Sequence, residues 1–100
     1  MGWATFHIQS LKEGKTIQFR PRGNSMKGKI SSGDLCTVSP TNIDDLKVGD
    51  IVLCKVKGSE YLHLIKAISQ GRFQIGNNRG HINGWIGPNA IYGKLTKVET

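Results

Sequence analysis

Ile51-Val52-Leu53-Cys54-Lys55-Val56, then Lys57-Gly58-Ser59, then Tyr61-Leu62-His63-Leu64-Ile65-Lys66-Ala67-Ile68, is the stretch that decides the fold. The first run is β-branched and almost continuously apolar, which predicts a strand buried on both faces for most of its length. Three small or polar residues then turn the chain, and the run from Tyr61 to Ile68 returns as the second arm of a hairpin.

Outward from this hairpin the same grammar repeats. Gln70-Gly71 turns the chain into Arg72 to Ile75. After the loop Gly76-Asn77-Asn78-Arg79-Gly80, an Asn83-Gly84 turn leads to Trp85-Ile86, and Ala90 to Val98 supplies a last strand. On the other side, Thr16 to Arg20 alternates, with Ile17 and Phe19 on one face, until Pro21 and Gly23 interrupt it. Gly33-Asp34 turns into a strand from Leu35 to Ser39, which Pro40 stops, and Asn42 to Val48 reads as a connection with one helical turn. Only the N-terminus has helical spacing: Trp3, Phe6, His7, Ser10 and Leu11, closed by Lys12 and Gly14. The expectation is a mostly β chain, residues 1–100 as one domain. It would be a coiled antiparallel sheet or partly open barrel with one short N-terminal helix.

At 100 residues the chain fits one domain and has no room for a second. No apolar run approaches the roughly 20 residues of a membrane helix, and the N-terminus lacks the pattern of a secretory signal, so the chain reads as cytoplasmic without a membrane partner. Cys36 and Cys54 sit in apolar runs and read as reduced core residues. His7, His63 and His81 have no zinc-motif spacing, so no metal or other cofactor is expected. The formal charge of +7 is unevenly spread. Residues 1–30 carry Lys12, Lys15, Arg20, Arg22, Lys27 and Lys29 against Glu13 alone, and no carboxylate lies between Tyr61 and Val98. Were these two regions to meet, they would form a surface for nucleic acid or an acidic protein, with Arg20, Arg22, Arg72 and Arg79 its candidate contacts.

A serine nucleophile needs an exposed turn, a group to take its proton and backbone donors for the developing oxyanion. Ser25, in Gly23-Asn24-Ser25-Met26, follows a glycine after a strand and meets the first condition. The motifs around it come in a telling order: Ser32-Gly33-Asp34, Leu46-Lys47-Val48-Gly49-Asp50-Ile51-Val52, Tyr61-Leu62-His63 and Gly76-Asn77-Asn78-Arg79. From about Gly14 to Lys97 the chain resembles the catalytic domain shared by type I signal peptidases and LexA-type self-cleaving repressors.

The resemblance implies a serine peptidase of coiled β fold, acting on a peptide or protein, with Ser25 the nucleophile and Met26 its companion beneath the substrate groove. Asn24 and Met26 then become substrate-binding candidates. Gly33-Asp34 and Gly49-Asp50 match turns of the family. The base position departs from the lysine-arginine pair of the bacterial enzymes: the matching residues are His63-Leu64, closer to the histidine of the endoplasmic-reticulum type. Lys66 is the alternative base, but in a regular strand His63 and Lys66 face opposite ways. The acid that signal peptidases carry after Gly-Asp-Asn is missing, so Asn77, or Asn78, is the expected orienter of His63. Gly28 stands where signal peptidases usually have proline.

These departures predict a slow or silent hydrolase, since Asp to Asn in a serine triad costs roughly 10⁴ in turnover. Repressor-type self-cleavage is not expected, because only 24 residues precede Ser25 and none forms an Ala-Gly pair. Two rival readings follow: a non-catalytic copy of the fold binding a partner through its basic surface, and an unrelated barrel stacking single-stranded bases on Phe73, Trp85 and Tyr92 beside Arg72 and Arg79.

Overall fold

A computed structural model describes residues 2–100. The helix α1, Thr5–Lys12, buries Leu11, and its last turn is closed by the Glu13 and Gly14 amides, which donate to carbonyls of Gln9, Ser10 and Leu11. Seven strands follow: β1 Ile17–Phe19, β2 Leu35–Ser39, β3 Ile51–Val56, β4 Ser59–Ser69, β5 Arg72–Gly76, β6 Ile82–Ile86 and β7 Ile91–Glu99. They form one antiparallel sheet in the order β1-β2-β7-β3-β4-β5-β6. The edge strands β1 and β6 do not pair, so the sheet is coiled but open. Of the two architectures the sequence allows, the open sheet is the one adopted.

The deciding hairpin sits at the centre. β3 is flanked by β4 and β7, with Val52 opposite His63 and Leu53 opposite Leu62. Its side chains alternate between two cores. Ile51 and Leu53 pack with Leu11, Met26, Ile30, Cys36, Val38, Leu62 and Leu64, whereas Val52, Cys54 and Val56 pack with Ile65, Phe73, Ile75 and Ile86. A strand covered on both faces needs no polar alternation, which is why β3 reads as an apolar run.

Two-residue turns join β3 to β4 and β4 to β5. Lys57-Gly58 and Gln70-Gly71 all have positive φ, the conformation whose twist matches a tight hairpin. Asn83-Gly84, by contrast, is no turn. It lies inside β6, where Ile75 pairs with Gly84 and Gly76 with Ile82, leaving Asn83 as the extra residue of a bulge. A second bulge, between Ile65 and Ala67, falls on Lys66. Bulges re-aim side chains that a regular ladder would send elsewhere.

Candidate active site

Between β1 and β2 the chain leaves the sheet and forms a loop over residues 20–34. The Gly33 amide donates to the Pro21 carbonyl across its neck, and the Gly23 amide to Ser32 Oγ. Met26 and Ile30 plug the loop into the first core, each almost fully buried, while Ser25 stays exposed. Between these anchors the chain turns tightly, with the Ile30 amide on the Met26 carbonyl at 2.8 Å. Gly28 has φ +98°, which proline cannot adopt, so the proline of signal peptidases is incompatible with the course of this loop.

The loop is pinned from the far side of the sheet. The Asn78 amide donates to the Ser25 carbonyl at 2.9 Å, and Asn78 Nδ2 donates to the Lys27 carbonyl at 2.8 Å. These bonds hold Ser25 over β4, where its Oγ lies 3.3 Å from His63 Nε2. That distance is long for a hydroxyl hydrogen bond, as is common in empty sites that tighten around substrate.

His63 is 6% exposed, the one buried polar side chain among the described residues. Its Nδ1 is 2.8 Å from Asn83 Oδ1, and Tyr61 stacks on its ring with centroids 4.8 Å apart. A carboxamide oxygen at Nδ1 accepts the proton there, leaving Nε2 as the acceptor for Ser25. Burial pushes the imidazole below its ordinary pKa and His81 adds to that, while the Asn83 bond opposes both. The net effect favours the neutral ring, the form a general base requires.

Ser25, His63 and Asn83 thus form a chain of contacts, and the third member is not the residue expected. Asn77 is turned away. Its Oδ1 accepts from the backbone amides of Arg79 and His81, at 2.8 and 3.0 Å, and organises its own loop. Asn78 braces the Ser25 loop instead of the histidine. Asn83 escapes sequence reasoning because Asn-Gly is the strongest short-range turn signal, and here the same two residues build a bulge.

The other expected positions divide. Lys66 sits at its bulge with its stem beside Gly76 and does not line the cavity at Ser25; the hydroxyl is bonded to His63. Met26 lines that cavity from below, but Asn24 is exposed and does not line it. The carboxylates that could have reached His63 are committed elsewhere: Asp34 to the Ser31 amide, Asp50 to Lys94, Glu60 to Lys55. Arg20 and Arg22 line the cavity, and Asn78 ties the Arg79 loop to that of Lys27. Arg72 lies at the opposite end of β5, about 13 Å of strand from Gly76, beside Trp85. The base-stacking platform does not assemble. Phe73 is buried in the second core, and Tyr92 packs against the first with Lys12 above its ring.

Among the described residues no cluster of ligands could hold a metal ion, and no helix is long and apolar enough to cross a membrane. Both thiols are buried and unpaired. Burial pushes Cys54 up to about 12, and burial with the nearby Asp34 charge raises Cys36.

An open antiparallel sheet with an exposed serine on a loop between its first two strands is the arrangement the resemblance implied. The family model described as Peptidase S24-like matches residues 4–80. The chain belongs to that family. A comparison with curated proteins gave no match. The S24-like match takes in Ser25, His63 and the Asn77–Asn78 loop but stops before Asn83, so the residue that holds the imidazole lies outside the matched region.

Proposed function

We propose that this S24-like domain is a serine peptidase of low turnover, working through Ser25 and His63 with Asn83 as the positioning residue. The observation that carries the reading is the relay from Ser25 Oγ to His63 Nε2 and from His63 Nδ1 to Asn83 Oδ1. Ser25 Oγ attacks the carbonyl carbon of the peptide bond while Nε2 takes its proton. The imidazolium then gives that proton to the leaving amine, and water releases the acyl group by the same route in reverse. The Ser25 amide makes no hydrogen bond among the described residues and is the donor we assign to the oxyanion.

The low turnover follows from the third residue. Asn83 favours the right tautomer but carries no charge, so the imidazolium formed in the transition state gains no ionic partner. Activated esters, whose leaving groups need no proton, test this directly. The chain is expected to release p-nitrophenol from a p-nitrophenyl ester with a burst equal to the enzyme concentration and then slowly. Ser25→Ala should abolish the burst, and a burst that survives in Ser25→Ala would reject the nucleophile.

A second reading, a non-catalytic binding module, is favoured by the basic residues that the Asn78 bonds bring to both sides of Ser25. It predicts that neither Ser25→Ala nor His63→Ala alters the protein's behaviour toward its partner.

A further inference from the structure

The cavity at Ser25 has a volume of about 530 Å³, well beyond the needs of one small side chain. One wall is aromatic. Trp3 and Phe19 have ring centroids 5.3 Å apart, and His7 stacks on Phe19 at 4.8 Å. Trp3 is 52% exposed, a large apolar surface left at the mouth of a groove with Met26 at its base. Next to this wall the lining is cationic. Arg20 is fixed there by its Nη1 donating to the Gly33 carbonyl at 2.8 Å, and Arg22 lines the cavity beside it. Glu60, the single carboxylate lining the groove, is 3.7 Å from Lys55 and is offset by it. Asp34 caps the Ser31 amide. The rim therefore keeps an unbalanced positive charge directly beside the nucleophile.

We propose that the groove takes an extended acidic peptide, seating a bulky apolar side chain against Trp3, Phe19 and Met26 while Arg20 and Arg22 hold carboxylates of the flanking residues. The inference rests on the Ser25–His63 reading, because the peptide is the substrate of that pair. Aromatic walls favour large apolar side chains by area and shape. Guanidinium groups hold carboxylates in defined geometry, and such contacts weaken with salt where they are exposed. A duplex nucleic acid would satisfy the rim but leave the apolar wall unused, whereas a single strand, whose bases stack on aromatic rings, is the rival that the oligonucleotide probes test.

Binding is tested in the whole chain carrying Ser25→Ala, so that turnover plays no part. The probes are fluorescein-labelled ten-residue peptides, followed by anisotropy at two salt concentrations. One has a central Phe flanked by Asp on both sides; one has Lys for Asp; one has Ala for Phe. Single-stranded DNA and RNA of ten nucleotides complete the set. The Phe–Asp peptide should bind at least tenfold tighter than either variant and weaken at high salt. Trp3→Ala and Arg22→Glu should each weaken it about tenfold, with the circular dichroism spectrum unchanged. Equal affinity for the three peptides, no binding of any of them, or preferential binding of an oligonucleotide would each overturn the inference. If the esterase burst is present but peptide selectivity is not, this inference alone fails. Selective binding without the burst rejects the catalytic reading and leaves the groove's preference standing.

Discussion

Replacing Asn83 by Asp places a carboxylate where a neutral amide now meets His63 Nδ1, and under the proposed mechanism it should raise the rate of acylation at Ser25. The nitrogen and oxygen are 2.8 Å apart, and the centres of charge of an imidazolium and a carboxylate in that geometry would lie about 4 Å apart. At an effective dielectric constant of about 20, two unit charges at that distance attract by about 4 kcal/mol. Only the transition state carries the imidazolium, so the attraction lowers the barrier. At roughly 1.4 kcal/mol per decade it sets a ceiling near a thousandfold. Desolvation of the new carboxylate takes back part of this, so a rate increase of about ten- to a thousandfold is expected. The tautomer component of the usual Asp-to-Asn penalty does not enter, because Asn83 already presents its oxygen to Nδ1. The carboxylate also favours the protonated ring, so the acid limb of the pH–rate profile should move to higher pH in Asn83→Asp. The assay is acylation by a p-nitrophenyl ester from pH 5 to 9, with Asn83→Leu as the opposite control, expected to be slower than the parent. An unchanged rate and unmoved profile in a normally folded Asn83→Asp protein would refute the role given to Asn83.

Three further outcomes are expected. Acylation of the parent protein should fall to half its plateau at a pH below the ordinary histidine value near 6.5, because burial lowers the pKa of His63. The same shift makes the unfolded chain bind the proton first as pH falls. Its contribution to stability is thus complete above about pH 6.5 and is lost as pH drops through the folded pKa, which urea unfolding at several pH values measures. Cys36 and Cys54 should resist a thiol reagent such as DTNB in the folded protein and react with two equivalents in guanidinium, since both are buried with raised pKa values. Gly28→Pro should cost about 3 kcal/mol, or roughly 15 °C in melting temperature by differential scanning fluorimetry, because φ +98° is closed to proline.

The parts of the fold legible in the sequence are those whose signal is local. β3 announces itself because a strand buried on both faces has no polar position to hide, and the Gln70-Gly71 turn uses a glycine in the positive-φ conformation that a tight hairpin demands. Ser25 is legible through the glycine before it and the core methionine after it, and His63 through its place on the returning arm. Strict alternation argues against Lys66, although the strand breaks its alternation at that residue; the structure puts His63 beside the Ser25 hydroxyl, on the regular side of the bulge. Asn83 is not legible. Its role depends on a bulge in β6, and a bulge is set by pairing with β5, which local pattern does not reveal. Asn77 looks the better orienter by order along the chain, yet its carboxamide is consumed by two backbone amides of its own loop. The charge distribution is legible as a bias. Which basic residues meet depends on the Asn78 bonds, which bring the Arg79 loop to that of Ser25 and leave Arg72 at the far end of β5.

The central claim is that Ser25 is a nucleophile activated by His63. Intact-mass spectrometry after incubation with a fluorophosphonate measures it whatever the natural substrate is. The expected result is a single adduct, mapped to Ser25 by peptide sequencing, absent in Ser25→Ala and at least a hundredfold slower in His63→Ala. Labelling that is lost with Ser25 but keeps its rate in His63→Ala would contradict the claim and return Lys66 as the base. No adduct in the parent protein after prolonged incubation would contradict it outright.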